Sequence, residues 1–133
     1  TGNTALFVKF IPKSNITIST LYYYLTSAGT DTIRLGIWSN VSNAPATLLQ
    51  QGSENTTGAT TIGLRGIAIT SQALTAGTTY WVGVKCDSGA SNFAYRTGVY
   101  NDNIVKSGFN SGSFGNSPSA SSDSIAAYMA LGV

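Results

Sequence analysis

The chain has 133 residues, of which 42% are hydrophobic and 9% charged, and seven basic and five acidic side chains leave a net charge of +2. That length suits one domain with a real core, and a charged fraction far below the roughly 25% of an average domain leaves Ser, Thr, Asn and Gly to supply polarity. Without a basic run to follow a phosphate backbone, no nucleic-acid partner is expected. With no apolar stretch near the about 18 residues a spanning helix needs, no membrane insertion is expected either.

In chain order, apolar and polar residues alternate with period two, the mark of strands with one buried face. Candidate strands are "TALFVKFI" (4–11), "NITISTLYYYLTS" (15–27), "TIRLGIWS" (32–39) and "TLLQQ" (47–51), followed by "TIGLRGIAIT" (61–70), "TTYWVGVKC" (78–86), "SNFAYRT" (91–97) and "SIAAYMALGV" (124–133). Turn-forming clusters separate them: "SAGTD", "SNAP", "TAGT", "DSGAS" and "NDN". About eight short strands without an amphipathic helix predict an all-β fold, a two-sheet antiparallel β-sandwich of jelly-roll type, forming a single domain over 1–133. A Gly/Ser-rich stretch with Phe109 and Phe114, about 107–124, is expected as one long loop, either an excursion or an arm docking on a neighbour. The chain opens on Thr1 rather than Met and is expected to belong to a longer or processed polypeptide.

The segment "TLYYYLTSAGTDTIRLGIW" (20–38) holds three consecutive tyrosines, and one strand face cannot bury all three. Folded about Gly29 as a hairpin, it pairs Leu25 with Ile33, Tyr23 with Leu35 and Leu21 with Ile37 on a core face. The other face then carries Tyr24 beside Arg34 in a cation–π contact, Tyr22 over Gly36, and Trp38. Ile16 and Ile18 are out of phase with Leu21, which predicts a bulge near Ser19–Thr20. "YWVGVKC" likewise places Val82 and Val84 inward and Trp81, Gly83 and Lys85 outward. The expected binding row is therefore Tyr22, Tyr24, Arg34, Trp38, Trp81 and Lys85, an exposed aromatic surface with basic tips.

Catalytic chemistry is poorly represented. The chain has no histidine, which removes Ser-His and Cys-His nucleophiles and the usual zinc sets. Asp31, Glu54, Asp87, Asp102 and Asp123 all fall in predicted turns, where nothing fixes two of them across a cleft. No enzymatic activity, catalytic residue, metal site or cofactor is expected, and "NDN" (101–103) reads as an Asx-rich turn before a calcium loop. Cys86, the single cysteine, is expected as a small buried hydrophobe. Asn15, Asn40 and Asn55 head N-x-S/T triplets, acceptors only in a glycosylating host.

Three stretches in order, "FVKFIPKSNITISTLYYYLTSAGTDTIRLGIWSN", "APATLL" and "LTAGTTYWVGV", resemble a β-sandwich (jelly-roll-like) module of tailed-phage virion proteins, found in terminal domains of tail and fibre proteins and in capsid decorations. The resemblance runs from Thr4 to Val84 and rests on structural motifs. It implies a non-catalytic virion component for host attachment or shell reinforcement, with itself or other virion proteins as partners, a homo-oligomer with a trimer favoured, on the virion surface. It transfers no binding residue, because the matching positions are core and turn. Two alternatives use the same surface: a carbohydrate-binding module of a secreted protein, stacking cell-surface glycan on Trp38, Trp81, Tyr22 and Tyr24, and a subunit of an extracellular filament.

Overall fold

The computed structural model describes residues 4–27, 32–55, 62–86, 92–93, 95–97, 104–108, 121–122, 125–127 and 129–132. These form β1 (Thr4–Phe10), β2 (Ile16–Ser27), β3 (Thr32–Val41), β4 (Ala44–Asn55), β5 (Gly63–Leu74) and β6 (Tyr80–Cys86). They continue with β7 (Asn92–Phe93), β8 (Tyr95–Thr97), β9 (Ile104–Gly108), β10 (Ser121–Ser122), β11 (Ile125–Ala127) and β12 (Met129–Gly132). Seven of these strands have five or more residues, and no helix occurs among the described residues.

All pairings are antiparallel. One sheet has six strands in the order β10-β9-β1-β6-β3-β4, and the other runs β12-β2-β5 with β7 also paired to β2. β8 and β11 form a separate ribbon, and β11 comes close to β1. The two large sheets pack face to face as the predicted β-sandwich. Leu21, Tyr23 and Leu25 of β2 meet Ile33, Leu35 and Ile37 of β3 and Val82, Val84 and Cys86 of β6 in one buried cluster. All eight residues assigned to the core from their alternation are in it, and the thiol of Cys86 is buried as expected.

The hairpin about Gly29 is corrected. β2 does not pair with β3: it pairs with β5 and β12, whereas β3 pairs with β4 and β6. The inward sets were right, but they face each other across the core instead of side by side. Tyr24 and Arg34, placed in contact by the hairpin, therefore lie in different sheets, as do Tyr22 and Gly36. Alternation reports which face a residue occupies and carries no information about which strand lies beside it.

Local chemistry explains the turns. The register of β2 and β5 shifts between Ile18 and Thr20, at the predicted bulge, so that Ile18 and Leu21 are both fully buried although three residues apart. Ser42 and Asn43 join β3 to β4 with φ of 51° and 59°, the left-handed pair that a two-residue hairpin needs. Before β6, Thr78 N–H donates to Thr75 O at 3.2 Å and Gly77 has φ 75°, the position where a type II turn wants glycine. Of the stretch 107–124 expected as a loop, Ser107 and Gly108 belong to β9 and Ser121–Ser122 form β10. Phe109, Phe114 and the "NDN" turn lie outside the described residues.

Candidate functional site

The predicted binding row divides between two sheets and two environments. Trp38 and Trp81 are fully buried, as is Lys85. This corrects the expectation that they lie on an open face. They do occupy the outer side of the six-stranded sheet, where Trp38 and Trp81 are register partners on β3 and β6. That side, however, holds a second buried cluster, formed with Ala5 and Phe7 of β1 and flanked by Leu48. The Phe7 ring meets Trp38 edge-on at 4.8 Å and 75°, a favoured aromatic geometry.

Glycine makes that cluster possible. Gly83 is the register partner of both Phe7 and Gly36, and a Cβ on it would lie 2.8 Å from the Phe7 ring and 2.9 Å from Trp38. Trp81 Nε1 donates to Asn40 Oδ1 at 2.9 Å, so its one polar atom is satisfied where it is buried. The Lys9 ammonium lies 5.5 Å from the Trp81 ring centroid, within cation–π reach. Every residue of β6 is buried, so its "outward" positions form a second core. Arg34, half-buried, stands in register with Lys85 on this side.

Tyr24 is exposed and Tyr22 half-buried on the outer side of the four-stranded sheet, with different neighbours from those expected. Tyr22 pairs with Gly66 of β5 and Ala130 of β12, and Tyr24 pairs with Leu64. The Tyr22 ring lies low over the sheet. One edge is 2.8 Å from where a Gly66 Cβ would stand, and the other is 2.6 Å from where a Gly132 Cβ would stand. An aromatic covering cross-strand glycine was the right device, with the wrong glycine assigned. At one end of this face Tyr24 is 45% exposed and Leu64 64%, and Ile62, just before β5, is 56% exposed. Toward the other end, Gly66, Ala68 and Thr70 of β5 are exposed beside Thr20 of β2. The described outward positions of β2 and β5 carry no charged side chain. Sequence reasoning missed Leu64 and Ile62, although "TIGLRGIAIT" places Leu64 opposite in phase to the buried Ile67.

A third arrangement joins the two sheets at one edge. Glu54, expected in a turn, is on β4, the last strand of the six-stranded sheet, while Arg65 is on β5, the last strand of the other. Arg65 Nε donates to Glu54 Oε1 at 2.8 Å, and Arg65 Nη2 donates to the same oxygen. The Tyr23 hydroxyl donates to Glu54 Oε2 at 2.8 Å. The guanidinium, aided by the Tyr23 hydroxyl and opposed by partial burial, holds the Glu54 carboxyl below its ordinary value. Burial, then the neighbouring carboxylate, pushes the Tyr23 hydroxyl well above its own. Beside this triad the sheets approach closely: a Cβ on Gly52 would lie 2.5 Å from Ile67 Cγ2 and 2.9 Å from Ala68 O.

Glu54 is the one carboxylate among the described residues, and both its oxygens are engaged. Among those residues no group of three His, Cys, Asp or Glu side chains is gathered to hold a metal, and no helix is long and apolar enough to cross a membrane. No family model matches the chain, and no curated protein matches it.

Proposed function

We propose that the chain is a non-catalytic structural or adhesive domain of a tailed-phage virion, working through surface contacts made by the outer side of its four-stranded sheet. The observation that carries the reading is the uncharged surface of exposed Tyr24 and Leu64 with half-buried Tyr22, and exposed Ile62 just before β5, on a sandwich that buries both tryptophans. Exposed apolar surface with aromatic members is the usual mark of an interaction site. The virion setting rests on the resemblance between Thr4 and Val84 described above. For the carbohydrate-binding alternative, the stacking row shrinks from four aromatics to Tyr22 and Tyr24, because Trp38 and Trp81 are inside.

Immunogold labelling of tailed particles, together with adsorption of the labelled chain to bacterial cells, tests the proposal. Label on particle exteriors or adsorption to cells, lost in Leu64→Lys, is the expected result. Particles and cells that both remain bare would overturn it.

A further inference from the structure

We propose that Glu54, Arg65 and Tyr23 form an acid-released clasp, whose opening frees one corner of the sandwich while the remainder stays folded. The corner is where the chain crosses from one sheet to the other, between Asn55 at the end of β4 and Gly63 at the start of β5. Tyr23 and Arg65 are register partners on β2 and β5, and Glu54 reaches both from the opposite sheet. Three hydrogen bonds to one carboxylate, two of them from a guanidinium, thus close the base of the crossover.

Little else in the described residues joins the sheets there. On β4 the residues after Leu49 supply no apolar side chain to the main core, and on β5 the residues before Ile67 supply none either. Gly52 packs close against Ile67 and the Ala68 carbonyl but has no side chain to interlock with them. A segment with so few buried apolar contacts opens more readily than the core. β6, by contrast, is buried along its whole length and β3 through its middle, and they hold the remainder together.

Among the described residues only Arg65 and Tyr23 bring a charge or a titrating proton to Glu54. Its register partner on β3 is Ile33, and β12 sets Met129 beside Tyr23. Arg34 stands on the other side of the six-stranded sheet, in register with Lys85, and the buried Cys86 thiol lies beyond Ile33 on β6. Protonating Glu54 removes the charge that holds Arg65. The guanidinium keeps Glu54 below its ordinary value while the clasp is closed, and a freed corner returns it to about 4.3. Opening therefore grows as pH falls between those two values and levels off below both.

The test reads distance across the corner by pulsed electron paramagnetic resonance. Nitroxides go on cysteines at Ser53 of β4 and Leu64 of β5, both exposed. A second pair sits at exposed Thr47 and Thr70, toward the other ends of the same strands. At neutral pH both pairs should give one narrow distance. Below about pH 4.3 a longer, broader component should grow for the 53/64 pair, by up to about tenfold per pH unit, while the 47/70 pair stays narrow. Glu54→Gln should show the long component at neutral pH and no further response to acid. Broadening of both pairs together would overturn the proposal, by making Glu54 a contributor to global stability alone. So would a 53/64 distance that stays narrow after the carbon-13 shift of the Glu54 carboxyl has reported its protonation. A folded Glu54→Gln that keeps the narrow distance, or answers acid as the wild type does, would also overturn it. The wild-type titration stands without any substitution at Glu54, should that variant fail to fold.

Discussion

Glu54 shows how much one side chain can be asked to do. Held below its ordinary value by Arg65, it contributes stability that is complete above the ordinary carboxylate range of about 4.3 and is lost as pH falls through the folded-state value. Tyr23 is shifted the other way. Its contribution is complete below the ordinary 10.0 and drains away as pH rises toward the folded-state value. Glu54→Gln should flatten the acid side of a stability–pH profile and Tyr23→Phe the alkaline side, both read from denaturant midpoints. At neutral pH Glu54→Ala should cost about 1.5–3 kcal/mol, the usual worth of hydrogen bonds to a charged group. At the same scale, Gly83→Ala forces a methyl against the Phe7 and Trp38 rings and should destabilise by about 1–3 kcal/mol.

Strand by strand, the adjacent β3 and β6 of the six-stranded sheet are buried on both sides. Gly36 and Trp38 of β3, and Trp81, Gly83 and Lys85 of β6, are as enclosed as the valines and leucines between them. Trp38→Ala should therefore cost about 3–5 kcal/mol in urea unfolding, comparable with Leu35→Ala at about 2–5. A value under about 1 kcal/mol for Trp38 would return it to the surface. The extents of β1, β2, β3 and β6 and their core-facing residues were legible because apolar residues recur every second position there. The burial of Trp38 and Trp81 was not, because a period of two distinguishes sides without saying whether the second side is wet. Pairing was illegible for a related reason: "SAGTD" can close a hairpin or carry the chain over to the other sheet, and residue types alone do not choose. β4 was read as five residues and has twelve, since Gln50, Gln51, Gly52 and Ser53 offer no apolar alternation at a sheet edge.

Taken whole, the molecule has two apolar layers on either side of one sheet: the main core inside the sandwich and the aromatic cluster outside it. Both tryptophans report only on the outer layer, while far-UV circular dichroism reports on the strands. β3 and β6 contribute to both layers, so the layers should melt together, with fluorescence and dichroism midpoints coincident in a single transition. An earlier fluorescence transition would show the outer layer peeling away first. Of the binding row, Tyr24 is exposed and Tyr22 half-buried. What the sequence concealed was the burial of the outer cluster, which keeps Trp38, Trp81 and Lys85 from solvent and leaves Leu64 and Ile62 more prominent than any tryptophan.

The bond between Trp81 and Asn40 bears on where such a chain can be manufactured. Asn40 heads the triplet "NVS", and its amide is already committed to the indole of Trp81. An oligosaccharyltransferase acts on chains still emerging into a secretory lumen, before that indole has found its partner. A glycan fixed there would crowd the joint between β3 and β6, and one on Asn15 would crowd the turn whose Ala76 N–H donates to the Asn15 Oδ1 at 2.8 Å. A yeast or mammalian secretion host would thus load two joints of the domain, and Asn40→Asp, which keeps an oxygen for the Trp81 indole, would spare the one inside the six-stranded sheet.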